Sequence, residues 1–287
     1  MHGELGDTLA INLALDVITS SAILFIISVG LLIIFGVMKI LNFAHAGFIS
    51  VGGYAGLVTT KFEVSPWLSF PLAFVIGAAI GAVLERLVIR HLYKRPLDAI
   101  LAAWGIGIIL VQLITILFGR EIQFVQRPIS GTLDVFGESY STYRLFMVLG
   151  AVAVGSVIAW LLQRTRLGLN TRAVIMNDDL AQALAINSVR VRFISFSLGS
   201  GLAAMAGAMI TPLSSVDPNM GFPWIVSAFM IVLLSGTSLV SLAASSFVLG
   251  GAQVLVSTFV NPVVGGLSIV ILAAIILRIR PEGFSLE

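Results

Sequence analysis

Residues with chemical reach are few and scattered in this chain. There is no cysteine, which excludes disulfides, thiolate metal sites and thiol nucleophiles. The three histidines, His2, His45 and His91, are far apart, and no metal-ligand spacing joins them. No Gly-x-x-x-x-Gly-Lys-Ser/Thr stretch occurs, so ATP cannot be held through a P-loop. No nucleophile–base pair is recognisable either, and no catalytic residue, metal or cofactor is expected. What remains are polar side chains set in apolar runs. Asn42 and His45 adjoin a Gly-rich stretch. Gln112 and Thr115 lie three residues apart on one helical face, with Trp104 two turns before Gln112. Gln253 and Ser257 form an i, i+4 pair. Two readings stand for each. Such groups hydrogen-bond neighbouring helices, or they line a path through the membrane.

One further segment, 164–192, is rich in arginine and polar residues. Asn177 suits a helix N-cap, and Asp178 and Asp179 suit the positive end of a helix dipole. Met176, Leu180, Ala183 and Leu184 recur at helical spacing and give a short apolar face. Asn187 and Ser188 are expected to end this helix. An amphipathic helix of this kind rests on lipid headgroups or inserts into a groove on a partner protein. Ala181, Ala183 and Ala185 make a poor lipid anchor, which favours the partner.

The elements that must position these residues follow from composition. Of 287 residues, 58% are hydrophobic and 10% charged, against about 25% charged in a soluble domain. A water-soluble core cannot hide that much apolar surface, whereas a bilayer leaves nothing to hide. The chain therefore reads as an all-α integral membrane protein, one transmembrane domain over 1–287 with about 8–10 spanning helices. Nine apolar runs qualify: 17–38, 43–60, 67–89, 97–118, 145–163, 193–211, 224–239, 243–260 and 263–277. The second is Gly-rich and is expected to be broken or re-entrant. Residues 119–144 form an external loop in which Pro128, Gly131 and Gly137 interrupt alternating apolar residues, a pattern for a small hairpin or lid.

Placing 164–192 in the cytoplasm and alternating outward puts twelve Lys/Arg inside and four outside: Lys61, Arg120, Arg127 and Arg144. That bias satisfies the positive-inside rule and puts the C-terminus inside. Residues 1–16 carry Glu4, Asp7 and Asp16 and no Lys or Arg, unlike a cleaved signal peptide. The net charge of +2 reflects basic residues at the ends of apolar runs, not nucleic-acid binding.

The segment at 164–192 resembles the coupling loop of permease subunits in the branched-chain amino acid family of ABC importers. The matching residues are Arg164, Thr165, Gly168, Arg172, Ala173, Asp178, Ala181, Ile186 and Asn187. The family's Gly before Ile-Asn is Ala185 here, which is expected to break the helix less sharply. Leu41-Asn42-Phe43-Ala44-His45, the small-residue run from Ser197 to Gly207, and Arg280-Pro281-Glu282-Gly283-Phe284 are similar to further family stretches in the same order. Residues 234–246 depart from the pattern, lacking most of its glycines and its proline.

The resemblance implies a permease of the bacterial inner membrane that moves branched-chain amino acids or a related small polar solute. Its implied partners are P-loop ATPase subunits, a second permease, an external substrate-binding protein and the lipid bilayer. The implied ATPase contacts are Arg172, Asp178, Asp179, Leu180, Ala181, Leu184 and Ile186. Asn42, His45, Trp104, Gln112 and Thr115 are the candidates for the path. The rival classes are a passive channel for a small neutral solute and an ion-coupled secondary transporter. The first needs no coupling helix. The second needs buried charged relay residues in mid-span, and mid-span acids are absent.

Overall fold

The computed structural model describes residues 2–135 and 138–284. It is built from eleven α-helices: α1 His2–Met38, α2 His45–Lys61, α3 Ser69–Leu87, α4 Pro96–Phe118, α5 Thr142–Arg164, α6 Arg166–Met176, α7 Asp178–Ala183, α8 Ser188–Ile210, α9 Phe222–Ser235, α10 Leu239–Phe259 and α11 Pro262–Ile279. One hairpin, β1 Thr132–Val135 with β2 Glu138–Ser141, stands between α4 and α5, pairing Leu133 with Tyr140. It realises the hairpin expected in the external loop, though Gly137 lies outside the described residues. The loop ends sooner than expected, because Thr142 already opens α5 and Arg144 is helical.

Among the described residues, seven helices are long and apolar enough to span a bilayer: α1 from Ala10, α3 with the turn before it, α4, α5, α8, α10 and α11. All nine expected apolar runs are helical, but two fall short. Helix α2 has 17 residues and α9 only 14. At 1.5 Å per residue α9 reaches about 21 Å, less than the roughly 30 Å hydrocarbon core. The run assigned to 224–239 is divided. Gly236 takes φ +60° and stops α9, and Ser238 accepts a hydrogen bond from the Ser241 amide to start α10.

Helices α1 and α8 form the centre. Small residues let other helices reach them. Gly30 of α1 and Gly199 of α8 face each other so closely that a methyl on either would come within 2.5 Å of the other's carbonyl oxygen. Gly77 and Gly81 of α3 pack on Ser200 and Ala204 of α8, the most extensive helix pair in the molecule. Gly52 of α2 lies against the Ala204 carbonyl, and Gly207 of α8 against that of Ile49. In lipid the hydrophobic effect does not drive helices together, so close backbone approach supplies the dispersion contacts that do. The glycines of α2 are therefore packing surfaces. They do not break the helix, which runs uninterrupted from His45 to Lys61, so the break offered as one expectation for this run does not occur.

Two ends can be distinguished. At one, Lys61 lies over the Phe118 ring, Arg127 donates to the Pro212 carbonyl at 3.0 Å and Arg144 pairs with Asp16 at 2.6 Å. At the other, the segment 164–192, the α3–α4 connection and the α9–α10 turn gather around the end of α1. Gly36 there lies near both Ile175 and Thr237. The basic residues assigned to opposite sides by charge bias thus fall at opposite ends of the bundle. The departing stretch at 234–246 holds the end of α9, a tight turn at 236–238 and the start of α10, and it is closed by the C-terminal motif: the Phe284 amide donates to Leu234 at 2.7 Å, and the Ser241 hydroxyl donates to the Phe284 carbonyl at 2.7 Å.

Candidate functional site

The segment between α5 and α8 folds as two helices, not one. Thr165 caps α6 by accepting from the Gly168 amide at 3.2 Å. Gly168 sits where any side chain would overlap the backbone of Leu162. Asn177 caps α7, as its sequence context predicts, by accepting from the Leu180 amide at 3.0 Å. The far end of α7 differs from the expectation. Asn187 does not end it. Instead its side chain accepts from the Arg190 amide at 2.9 Å and starts α8.

What stops α7 is Ala185. Its φ of +62° lies in the left-handed region, its amide donates to Gln182, and the Ile186 amide donates to Ala181, both at 2.9 Å. That pair of bonds is the Schellman closure usually formed around glycine. The helix is therefore broken as sharply with alanine as with glycine, against the sequence expectation, and the backbone bears a cost of about 1 kcal/mol for it.

The seven residues read as coupling contacts divide by exposure. Arg172, Asp179, Leu180 and Leu184 are exposed, Leu180 at 58% and Leu184 at 68%. Met176 beside them is exposed at 86%. Ala181 is buried and Ile186 half-buried, in a small cluster with Val37, Val174 and Val191 that pins α7 to the bundle. Asp178 faces the first turns of α8, where its carboxylate accepts from Arg192 at 2.7 Å. Burial opposes the ionisation of Asp178, but the Ser188 hydroxyl and the Arg192 guanidinium beside it prevail and hold its pKa below the ordinary carboxylate value. The result is an exposed apolar face made by Met176 at the end of α6 with Leu180 and Leu184 of α7 and its cap, which no other part of the described chain covers.

Behind α7 opens a polar cleft of about 1090 Å³ between it and the α3–α4 connection, lined by Arg90, Tyr93, Lys94, Asp178 and Arg192 among others. Two of its lining residues, Arg90 and Tyr93, reach a carboxylate behind the wall that the sequence marks only as lying near a helix end. Glu85 of α3 is fully buried and pairs with Arg90 at 3.1 Å. Tyr93 also donates its hydroxyl to Glu85, and Arg192 lies over the Tyr93 ring at 4.8 Å. Burial and the bond to Glu85 push the Tyr93 pKa far up, so the phenol stays protonated and remains a donor.

The residues read as path candidates form two sets. Asn42 and His45 are buried. The chain turns back at Lys39, with φ +55°, and dives between helices. His45 thereby sits level with Ile27 of α1, whose carbonyl lies 2.9 Å from its Nε2. Ile27 is eleven residues before the end of α1 at Met38, about 16 Å along the axis. His45 is therefore deep in the bundle and not near the helix end that Lys39 marks. The Asn42 side chain accepts from the Ala44 amide at 3.1 Å and steers the chain into α2. Trp104 and Gln112 occupy the opposite face of α4 from its packed stripe of Ala99, Ala103, Ile106, Leu110 and Ile114, and both are exposed. Thr115 is half-buried, its hydroxyl bonded to Val111 at 2.8 Å. Gln253 and Ser257, with Asp16, Thr19 and Arg144, line a second polar cavity of about 380 Å³ at the end carrying the hairpin. No group of three potential metal ligands occurs among the described residues.

Residues 13–279 match the family model described as "Branched-chain amino acid transport system / permease component". The chain belongs to that family. It is accordingly a multi-pass transport permease component and not an enzyme. Within the family, it is 26% identical over 286 residues to a probable branched-chain amino acid transport permease protein, LivH, of Methanocaldococcus jannaschii, covering 92% of this chain and 89% of the relative. It is 25% identical over 283 residues to the high-affinity branched-chain amino acid transport system permease protein BraD of Pseudomonas aeruginosa, covering 90% of each. Its fold is similar to that of a solved structure titled PsaBC from Streptococcus pneumoniae in complex with Fab, with a TM-score of 0.51 at 15% identity, covering 97% of this chain and 95% of the other. In this permease family member, the residues that carry the coupling-loop resemblance have structural work. Thr165 and Asn187 are caps, Gly168 is a close approach, and Ala181 and Ile186 are the inner packing of α7.

Proposed function

We propose that this chain is a permease subunit of an ATP-driven importer, translocating branched-chain amino acids or a related small polar solute such as another amino acid, an amide or urea. It works as a single transmembrane permease domain in the bacterial inner membrane, with its C-terminus and α6–α7 in the cytoplasm and the hairpin outside. Separate P-loop ATPase subunits supply the energy, a second permease completes the pathway, and an external binding protein delivers the solute. The observation that carries this reading is the apolar outer face of α7. A short helix capped at both ends, pinned from behind by Ala181, presents Leu180 and Leu184 as a rigid knob. A knob that does not yield transmits the closing of an ATPase to the bundle by rigid-body motion.

Trp104 and Gln112 support a shared pathway. A Gln side chain on the outer face of an apolar span is costly against lipid. A second permease facing α4 relieves that cost and encloses a route between the two subunits. Asn42 and His45 then act one layer back, holding the entry into α2 in place.

The test is purification of the native complex in mild detergent, with identification of every chain recovered, followed by uptake of leucine into proteoliposomes loaded with ATP. The reading expects a P-loop ATPase in the complex and uptake that requires ATP. A stable homo-oligomer lacking an ATPase and passing solute down its gradient would replace the importer by a channel.

A further inference from the structure

We propose that Glu85, Tyr93 and Arg192 form a mechanical relay that joins the docking helix α7 to the membrane helices α3 and α8. The proposal rests on the reading of α7 as the ATPase contact and goes beyond it, because it assigns positioning roles to residues outside the coupling loop's exposed face.

Three elements meet at this point. Asp178 of α7 binds Arg192 in the first turns of α8 at 2.7 Å. The Arg192 guanidinium stacks on Tyr93, which lies just before α4, at 4.8 Å. Tyr93 in turn donates to Glu85 in the last turn of α3, and Arg90 grips the same carboxylate at 3.1 Å while its guanidinium lies 5.8 Å from the Phe193 ring of α8. A push on α7 therefore reaches α8 through one ion pair and α3 through one ring and one hydroxyl.

The chemistry of each link suits a relay and not mere surface pairing. Glu85 is 0% exposed, and a buried carboxylate deprived of its partners is strongly unfavourable. Its bonds are therefore held through a movement and not dropped. Arginine can pair with a carboxylate in its own plane while stacking on an aromatic face, which lysine cannot do. Beyond the relay, α3 rides on α8 through Gly77 and Gly81, which meet Ser200 and Ala204 and bring the two backbones into close contact, so that a shift of one helix is felt by the other.

The experiment uses the assembled importer with its ATPases in proteoliposomes. A cysteine is placed at Leu87, the exposed last residue of α3, and its maleimide reactivity is followed with and without ATP and vanadate. The parent complex is expected to change reactivity about five-fold or more, the range of an ordinary coupling between sites. Tyr93→Phe keeps the ring but removes the hydroxyl, and Glu85→Gln keeps an acceptor but removes the charge. Both are expected to lose most of that change while retaining assembly and basal ATP hydrolysis. The double variant is expected to lose no more than the worse single, since both cut one path. Where either fails to assemble, Arg192→Lys carries the same expectation. An unresponsive parent, or variants responding like the parent, would overturn the relay. Cross-linking of a cysteine at Leu184 to the ATPase separates the two ideas: its absence removes the docking reading, whereas its presence beside an unchanged α3 response removes the relay alone.

Discussion

At the scale of single residues, Ala185 is the sharpest case. Its position was legible as the site where related coupling loops carry glycine, but its conformation was not, because an alanine by itself argues for helix. Two amide bonds around it, to Gln182 and Ala181, impose φ +62°. Ala185→Gly removes the Cβ conflict, and the closure of α7 is expected to gain about 0.5–1 kcal/mol. Amide hydrogen exchange at Ala185 and Ile186 reads this directly: slower exchange is expected, and faster exchange would contradict the strain. Asn177 was legible as a cap since its bond partner is three residues away. Asn187 was misassigned because a capping residue looks alike at either side of a break.

The Asp178–Arg192 pair has a defined pH behaviour. Its carboxylate has a lowered pKa in the folded protein, so its contribution is fully present above the ordinary Asp value and is lost only as pH falls below it. Coupling between ATP hydrolysis and transport is therefore expected to be insensitive to this pair from about pH 8 down to about pH 5. Asp178→Asn should reproduce at neutral pH the loss that acid brings to the parent. A variant with full coupling would show that the ion pair is dispensable.

Glu85 shows the limit of reading a sequence one residue at a time. Its partners Arg90 and Tyr93 are near in sequence, but Arg192 is more than a hundred residues away, and no periodicity links them. Only the fold brings the four together.

At the scale of elements, hydropathy located every membrane helix because each must satisfy its backbone internally and remain apolar. It misjudged lengths where a helix is sheltered by others. Helix α9 stops at Gly236 inside an apolar run, since the turn is closed by Phe284 from the far C-terminus, a partner invisible to a sliding window. Helix α6 was missed because it is short, polar and Arg-rich, and so stands outside the apolar runs that mark spans. The glycines of α2 were read as breaks, when their meaning lies in what faces them. This gives a paired prediction. Gly52→Val and Gly207→Val drive a side chain into the backbone of the facing helix and are expected to abolish recovery of folded protein in detergent. Gly105→Ala, in α4 with nothing within 4 Å, is expected to be neutral or stabilising by about 0.5–1 kcal/mol. Thermal unfolding followed by size-exclusion chromatography distinguishes them, and equal tolerance of all three would contradict the close packing of α2 on α8.

At the scale of the whole molecule, the distribution of Lys and Arg was the most informative feature of the sequence, because charge bias reports on which ends share a side. Helix, hairpin and loop contacts group Lys61, Arg127 and Arg144 at one end. Cysteines substituted at Arg120 and at Arg280 are expected to react with a membrane-impermeant maleimide from outside and from inside respectively. Labelling of both from one side would overturn the topology. The Asp16–Arg144 pair at the hairpin end is half exposed, so its removal is expected to cost little, about 0–1 kcal/mol. The hairpin is held besides by the Tyr140 hydroxyl, which lies 3.1 Å from that of Thr19.

The central claim is that α7 is the surface through which an ATPase drives this permease. It is tested most directly by a single cysteine at Leu184 carrying a short photo-activated cross-linker in the native complex. The account predicts a specific adduct with a P-loop ATPase subunit, strengthened by ATP and abolished when Leu180 is replaced by Asp. An adduct only with lipid, or none while the complex still transports, would contradict it.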